Sequence, residues 1–310
     1  MKNILIIKHG SLGDVILSLY PIFSIKKHFN KCNITILTEE KYRKIFNKLT
    51  FVNKIKIDNR ARFFSIKSNL KLLIWFHRED FDWVFDLQTS KRTNLYFFIF
   101  SIYKDFLWNG IAKNCSHRHS NSSRVFMHTM ERQKEQLSIA GIKTVKKINW
   151  KFLKGNLKNF CIPKNYALII PGGSITRTEK RWPLENFITL IDYLCSLKLK
   201  SIVIGGKDEK MLFKNFVNYK AKFLNLVGRT NFGQVASLAR NANLIVGNDT
   251  GPMHLSVQCA LPKTKKIVLF GNQSDPKLCA PVAKNVFILR KKDIKKIRLE
   301  DVKKIIKKKT

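Results

Sequence analysis

Residues 3–14 read NILIIKHGSLGD. Four consecutive aliphatic residues, Ile4–Ile7, come first, as expected for a strand buried inside a parallel sheet. Gly10 and Gly13 then favour a tight turn, and a helical apolar pattern continues from Asp14. This strand–turn–helix order opens a βαβ unit, so the sequence predicts an α/β fold with a parallel sheet.

The alternation of strands and helices occurs in two series, separated by a stretch rich in Lys and Asn that ends at Pro163. We therefore predict two Rossmann-like, doubly wound domains facing a cleft, with a ligand at the carboxyl ends of the strands. The predicted bounds are 1–160 and 161–290. A basic amphipathic helix is expected at 291–310, with one apolar face formed by Leu299, Val302, Ile305 and Ile306.

Individual elements follow from the same patterns. Strands are predicted at Asn33–Thr38, Asn53–Ile57, Asp82–Leu87, Tyr166–Ile170, Ser201–Ile204, Asn243–Val246 and Lys265–Phe270. Helices are predicted at Glu39–Lys48, Leu184–Leu197, Lys207–Tyr219, Phe232–Arg240 and Gly251–Ala260. The apolar stretch Leu95–Ile102 fits a buried helix better than contact with lipid.

The 310 residues include 59 Lys and Arg against 21 Asp and Glu, which gives a formal net charge of +38. Such a charge favours contact with nucleic acid, an anionic membrane or a phosphorylated substrate. Abundant Lys, Asn, Ile and Phe would also follow from an AT-rich coding sequence. Both interpretations stay open, and the charge alone identifies no partner. Because 45% of the residues are hydrophobic, intrinsic disorder is excluded.

The six cysteines form no CxxC pair, so a zinc ribbon or a thioredoxin-type motif is excluded. No stretch approaches the roughly 20 apolar residues of a membrane-spanning helix, and the first apolar run is too short for a signal peptide. We expect a cytoplasmic protein, with peripheral attachment to the inner membrane as an open alternative. His117 and His119 have a metal-compatible spacing but no nearby carboxylate, so no metal site is expected.

The first motif that could carry chemistry is the turn from Gly10 to Asp14. It lacks the third glycine of the dinucleotide fingerprint, and the chain has no GxxxxGK[ST] loop, so no cofactor is expected. Asp14 lies in the first turn of the predicted helix. Its carboxylate either interacts with the helix dipole alone or acts as a general base facing the cleft.

The second motif, PGGSITRTEKRWP at residues 171–183, follows a predicted strand and precedes a helix. Hydroxyl groups, including that of Thr176, alternate with the cations Arg177 and Lys180, which suits a diphosphate. A solvated basic loop is the alternative. A weaker signal, Gly205–Glu209, follows another strand and would place Glu209 near a ribose or base.

The third motif is VGNDTGPMH at residues 246–254. A strand ends in it, and Pro252 stands where a helix would begin, so the amides of Thr250 and Gly251 would form an anion site at a helix N-terminus. Asp249 could act only as an N-cap and His254 as a core residue. The pattern is more specific than capping requires, which favours a functional role.

Together and in this order, the motifs resemble glycosyltransferase family 9, the bacterial lipopolysaccharide heptosyltransferases. Residues 8–15 (KHGSLGDV) resemble the N-terminal signature and 82–88 an internal strand; 171–183 resemble the lysine loop, and 247–254 with 269–271 and 275–276 the C-terminal signature. The stretches 8–15 and 171–183 depart from the usual pattern at His9-Gly10 and at Pro-Gly-Gly-Ser.

The resemblance implies a GT-B fold with the acceptor on the N-terminal domain and a nucleotide-sugar on the C-terminal domain. It implies inverting, metal-independent transfer from an ADP-heptose-like donor to a phosphorylated glycolipid at the anionic inner membrane face. Asp14 then matches the catalytic base, beside an acceptor loop of Lys8, Gly10, Ser11 and Gly13. The residues that match donor contacts are Lys180, Glu209, Asp249, Thr250, Gly251 and His254. Thr176 and Arg177 are added to the donor side by the composition of the second motif.

Two alternatives remain at this point. A GT-B transferase for another nucleotide-sugar and acceptor would keep the same motifs. A basic nucleic-acid-binding protein would explain the charge of +38. However, the chain contains no aromatic–basic RNP pattern and no zinc spacing typical of nucleic-acid modules, so no specific nucleic-acid partner is expected.

Overall fold

The computed structural model describes residues 1–60, 65–102, 104–173, 178–206, 209 and 223–308. It divides the chain into two compact units, Met1–Asn149 and Trp150–Thr310. Each unit contains a six-stranded sheet in which all the pairings between neighbouring strands are parallel. The prediction of two Rossmann-like α/β domains is therefore confirmed.

The elements of the first unit alternate as the sequence predicts. Its strands are β1 (Lys2–Ile7), β2 (Cys32–Thr38), β3 (Val52–Ile57), β4 (Trp83–Asp86), β5 (Leu107–Gly110) and β6 (His117–Arg118). Its helices are α1 (Leu12–His28), α2 (Arg43–Phe46), α3 (Ile66–Glu79), α4 (Lys91–Phe100) and α5 (Thr129–Ile139). The strand order is β3-β2-β1-β4-β5-β6.

The core of the first unit forms because β1 is aliphatic on both faces. Ile4–Ile7 are fully buried, as a central parallel strand covered by helices requires. On one face α3 and α4 pack together with the sheet. Their rings meet there, and Phe76 stacks on Phe100 with centroids 3.9 Å apart.

The second unit repeats the architecture. Its strands are β7 (Tyr166–Ile170), β8 (Lys200–Val203), β9 (Phe223–Asn225), β10 (Leu244–Asn248), β11 (Lys265–Phe270) and β12 (Val286–Arg290). Its helices are α6 (Leu184–Ser196), α7 (Phe232–Asn241), α8 (Gly251–Cys259), α9 (Pro276–Cys279) and α10 (Leu299–Lys307). The strand order is β12-β11-β10-β7-β8-β9.

Helix α10 belongs to the second unit and is not a separate segment over 291–310. Val302 is fully buried in the core of this unit, and the other three residues of the predicted apolar face pack against it. At the end of the helix, Lys265 Nζ donates to the carbonyl oxygens of Ile305, Ile306 and Lys308 at 2.8, 2.9 and 2.6 Å. A cation therefore stabilises the negative end of the helix dipole.

The boundary between the units lies earlier than the predicted break between residues 160 and 161. Trp150 O accepts a hydrogen bond of 3.0 Å from Arg240, and Gly155 N donates at 3.0 Å to Ser237 Oγ. Both partners lie on α7. The predicted linker is thus tied to the second unit by hydrogen bonds between its backbone and side chains of α7, which its loop-like composition does not reveal.

Both sheets reverse their winding at an adjacent strand pair: β1 beside β4 in the first unit and β7 beside β10 in the second. Ligands of doubly wound folds bind where the carboxyl ends of such strands meet. The first motif follows β1, the second follows β7, and the third spans the end of β10. The topology therefore places the motifs where a site is expected in each unit.

Several predicted elements differ in the structure. The helix expected at Glu39–Lys48 is shorter in the structure: Glu39 has an extended backbone, a 3-10 turn covers Glu40–Tyr42, and α2 follows and ends at Phe46. Strand β12 was not predicted, although its residues Val286–Leu289 are all apolar. The predicted helix Lys207–Tyr219 lies outside the described residues, except for Glu209.

Among the helices within the described ranges, none combines the length and the apolar character needed to cross a membrane.

Gly10 tests the geometry of the turn after β1. Its φ is +138°, and an added Cβ would lie 2.2 Å from Cε2 of Tyr42. We expect Gly10→Ala to lower the free energy of unfolding by about 2–4 kcal/mol, through backbone strain plus steric overlap. Urea denaturation measures the loss.

Gly141→Ala is the matched control. Gly141 also has a positive φ, +71°, but an added Cβ would meet nothing within 4 Å. Its cost should be about 1 kcal/mol. Equal losses for the two variants would show that Tyr42 does not restrict the turn.

Candidate functional site

Asp14 lies in the first turn of α1, at the carboxyl end of β1. Its Oδ2 accepts hydrogen bonds from Ser11 N at 3.2 Å and Ser11 Oγ at 3.1 Å. The residue is half-buried and Ser11 is exposed, so the carboxylate is held in place and keeps access to solvent. Asp14 therefore supports the N-terminus of α1, while its role as a general base stays a prediction.

Lys8 is a buried cation next to this turn. Only 5% of the residue is exposed, and its Nζ donates to Leu87 O at 3.2 Å. Burial lowers the pKa of Lys8, while the nearby carboxylates of Asp14 and Asp86 act in the opposite direction. Asp86, at the end of β4, is fully buried, and burial raises its pKa.

His9 anchors the turn after β1 through a hydrogen bond to Asp58. The sequence did not reveal this role. His9 Nε2 lies 2.8 Å from Asp58 Oδ2, and Tyr96 Oη donates to the same oxygen at 2.6 Å. Burial would raise the pKa of Asp58, but these two hydrogen bonds lower it to about 2. Gln88 Oε1 accepts from the amides of His9 and Gly10, at 3.1 and 3.3 Å.

Arg124 adds a second cation to the same edge of the first sheet. It donates to Thr89 Oγ1 at 3.1 Å and to Gln136 Oε1 at 3.2 Å, and it contacts the ring of His119. Burial, with the charge of Arg132, lowers its pKa. Its segment, between β6 and α5, has no periodic pattern, and this explains why the sequence did not identify it.

In the second unit, Asp249 is the centre of a charged cluster. Its Oδ2 accepts from Ser274 Oγ at 2.6 Å and lies 3.5 Å from Lys180 Nζ, while Oδ1 lies 3.3 Å from His254 Nε2. The side chain is only 9% exposed. Burial alone would raise the pKa of Asp249, but the hydrogen bonds of His254 and Ser274 and the charge of Lys180 lower it.

Helix α8 begins directly beside this cluster. Thr250 is its N-cap, and Thr250 Oγ1 accepts from Met253 N at 3.4 Å. Gly251 is the first helical residue, and Pro252 follows in the first turn, as the sequence predicted. The positive end of the helix dipole and the ammonium group of Lys180 therefore both lie close to Asp249.

Asn248 joins the loops that carry these groups. It is fully buried; its Oδ1 accepts from Trp182 N at 3.1 Å, and its Nδ2 donates to Pro171 O and Gly172 O at 2.8 and 3.2 Å. Trp182 is itself 1% exposed, and its Nε1 donates to Ile297 O at 2.8 Å. The ends of the lysine loop are thus attached to β10 and to the core.

Glu209 connects the two glycine loops of the second unit. Its carboxylate accepts from Gly173 N at 2.5 Å and from Gly206 N at 2.6 Å, and the residue is 8% exposed. This places Glu209 at the carboxyl ends of β7 and β8. Its oxygens hold the loops together, a contact that the predicted ribose role did not include. The candidates Thr176 and Arg177 lie outside the described residues.

The candidate residues thus form one group in each unit. Lys180, Asp249, Thr250 and His254 meet at the start of α8, while Asp14 and Lys8 meet at the turn after β1. The group at the start of α8 combines a cation and helix amides, which suits an anionic ligand. The group at the turn after β1 presents the carboxylate of Asp14, which has access to solvent.

The sequence matches the family model described as glycosyltransferase family 9 (heptosyltransferase) over residues 77–308. The chain belongs to glycosyltransferase family 9. It is therefore a glycosyltransferase, as the order of the motifs predicted.

Relatives of this glycosyltransferase agree with the assignment. Lipooligosaccharide heptosyltransferase 2 of Haemophilus ducreyi is 27% identical over 116 residues, a match that covers 36% of this chain and about a third (33%) of that relative's length.

Three solved structures share the fold. A glycosyltransferase family 9 protein from Veillonella parvula is 20% identical and has a TM-score of 0.82, over 98% of this chain and 96% of that one. ADP-heptose lps heptosyltransferase II from E. coli has 17% identity and a TM-score of 0.78, over 99% and 97%. E. coli heptosyltransferase WaaC with ADP has 21% identity and a TM-score of 0.77, over 98% of each chain. These similarities confirm the predicted GT-B fold class.

Asn248→Ala tests how the lysine loop of the glycosyltransferase is held. The change leaves Trp182 N and two carbonyl oxygens buried without their present partner, so the free energy of unfolding should fall by about 3 kcal/mol. Urea denaturation measures it. Asn156→Ala is the control, because its Oδ1 accepts from Lys158 N in an exposed turn. A loss no larger than at Asn156 would refute the role of Asn248.

The lowered pKa of Asp58 makes the stability of the fold depend on pH. Its folded pKa of about 2 lies below the ordinary 3.8, so its contribution is present above pH 4 and is lost as the pH falls towards 2. The shift corresponds to roughly 2 kcal/mol. In chemical denaturation between pH 2 and 5, Asp58→Asn should lose less stability on acidification than the unsubstituted enzyme. Parallel curves would contradict the prediction.

Proposed function

We propose that this enzyme transfers a heptose from an ADP-heptose-like donor to a phosphorylated glycolipid of the lipopolysaccharide core. The observation that carries the proposal is the cluster of Lys180, Asp249 and His254 at the start of α8, within a chain of the heptosyltransferase family. Structures of E. coli heptosyltransferase WaaC, with ADP and with ADP-2-deoxy-2-fluoro heptose, show that this fold accommodates such a donor in that protein.

The second unit binds the donor in this proposal. Lys180 and the amides of Thr250 and Gly251 interact with the diphosphate, whose negative charge grows as ADP leaves. Fixed cations and dipoles supply the charge that a metal ion supplies in other transferases. Asp249 positions Lys180 and His254, since its buried carboxylate would repel the diphosphate directly. Thr176, Arg177 and Glu209 complete the donor side.

The first unit binds the acceptor and supplies the base. A hydroxyl oxygen of the acceptor forms the new bond to the anomeric carbon, while the bond from that carbon to the diphosphate oxygen breaks with its electron pair. Asp14 accepts the hydroxyl proton, and attack from the opposite face inverts the configuration. Lys8, Gly10, Ser11 and Gly13 shape the turn around Asp14. Arg124 provides a cation for a phosphate of the acceptor.

Asp14→Asn tests the base. Asparagine retains an oxygen that can accept from Ser11, so α1 keeps its cap, but it cannot take up the proton. We expect kcat for ADP release, with ADP-heptose and a truncated lipopolysaccharide acceptor, to fall about 10²–10⁴-fold. Donor affinity by calorimetry should stay unchanged. Equal turnover by the variant would reject Asp14 as the base.

Lys180→Met tests the donor site. The substitution keeps most of the side-chain volume and removes the charge, so kcat/KM for the donor should fall about 10²–10³-fold. Lys291→Met is the control, because Lys291 is an exposed lysine of the same unit. This substitution should leave kcat/KM for the donor unchanged.

Two further measurements complete this test. Activity should persist in EDTA, and loss of activity with recovery on adding a divalent metal would count against the mechanism. Stabilisation against heat by a different nucleotide-sugar, with none by ADP-heptose, would identify another donor.

A further inference from the structure

Helix α3 of the first unit has two different faces. Leu72 and Phe76 point into the core, and Phe76 is fully buried. On the opposite side Ile66, Leu70 and Ile74 are 82%, 51% and 45% exposed. Because they are spaced by four residues, these three side chains form one stripe along the helix.

Basic residues accompany this apolar stripe turn by turn. Lys67 and Lys71 directly follow Ile66 and Leu70 and are exposed, and Arg78 is exposed one turn after Ile74. The helix has one acidic residue, Glu79, whose carboxylate is 2.7 Å from Lys54 Nζ and is thereby neutralised. The outer face of α3 is thus apolar and cationic over its 14 residues, about 21 Å.

Helix α4 extends the surface. The stack of Phe76 on Phe100 brings the last turns of the two helices together. Ile74 and Phe98 each precede a stacked ring by two residues, about 200° of helical rotation, and therefore point away from it. Phe98 is 48% exposed, and Ile102, just after α4, is 59% exposed. Of the fourteen exposed large hydrophobic residues among the described part of the chain, α3 and α4 with Ile102 contribute five.

We propose that this α3–α4 surface, formed by Ile66, Lys67, Leu70, Lys71, Ile74, Arg78, Phe98 and Ile102, docks the first unit on an anionic lipid membrane. Aliphatic and aromatic side chains enter the boundary between headgroups and acyl chains, and the lysines and arginine contact the lipid phosphates. Docking would bring the enzyme to the glycolipid acceptor of the proposed function. The inference rests on the proposed function for this acceptor alone.

The positive charge of this surface favours an anionic membrane over a second copy of the chain as the binding partner. Two copies joined through this surface would bring the lysines of both stripes together, on molecules that each carry a formal charge of +38. An anionic membrane instead neutralises the lysines while it covers the apolar side chains. The same charge predicts that docking weakens as salt is added, since exposed charges are screened within about 10 Å at 0.1 M salt.

Vesicle co-sedimentation of the full-length protein tests the surface. We expect binding to vesicles of phosphatidylcholine with phosphatidylglycerol and much weaker binding to phosphatidylcholine alone. Leu70→Asp with Ile74→Asp should reduce the partition coefficient for the anionic vesicles at least about tenfold. Lys67→Glu with Lys71→Glu should remove most of the preference for anionic lipid.

The matched control is Leu197→Asp with Val282→Asp. These apolar residues of the second unit are 50% and 56% exposed, so the change in charge is the same and the site differs. Binding within about twofold of the unsubstituted protein is expected for this control. Because all the substituted side chains are exposed, thermal melting should show that every variant stays folded.

Three results would overturn the inference: equal binding by the Leu70/Ile74 variant, equal loss in the control, or a dimer in solution that these substitutions dissociate. ADP release with a soluble, deacylated acceptor separates this inference from the proposed function. That activity should survive in the Leu70/Ile74 variant. Vesicle binding without any turnover of ADP-heptose would instead leave the surface in place and refute the donor assignment.

Discussion

The buried side-chain amide of Asn248 holds together the strand ends of the second unit. Its three hydrogen bonds join the end of β10 to the loop after β7 and to Trp182. Breaking these bonds would leave three buried backbone groups without a partner, which costs free energy. The loops at these strand ends are therefore held in a single conformation. The positions of Lys180, two residues before Trp182, and of Asp249, next to Asn248, follow from that arrangement. Parallel pairing of β7 with β10 brings the two loops to the same edge.

Charges are arranged differently in the two units. In the second, the buried carboxylate of Asp249 contacts Lys180 and His254 and so positions them beside the N-terminus of α8. In the first, burial lowers the pKa of the cations Lys8 and Arg124, which lie near carboxylates that offset part of the cost. Ionisable groups with perturbed pKa values at a ligand-binding edge are typical of functional sites.

Sequence patterns predicted the strands and turns of this site well where local chemistry decides them. The aliphatic run before Gly10 and the proline after Gly251 defined a strand and a helix start within one or two residues. The helix predicted at Glu39–Lys48 is confirmed over 40–46 only, as a 3-10 turn followed by α2. The role of Asp58 was missed since its partners, His9 and Tyr96, are 49 and 38 residues away along the chain.

The sequence by itself determined the fold class, the family and the strand ends that carry functional groups, because hydrophobic period and turn residues act over short distances. Only the tertiary structure decided which groups meet: that Glu209 holds two glycine loops, that Asp249 is shared by Lys180, His254 and Ser274, and that α3 leaves apolar residues exposed. These contacts join residues far apart in the chain. Their geometry depends on strand order and packing, which a local pattern does not contain.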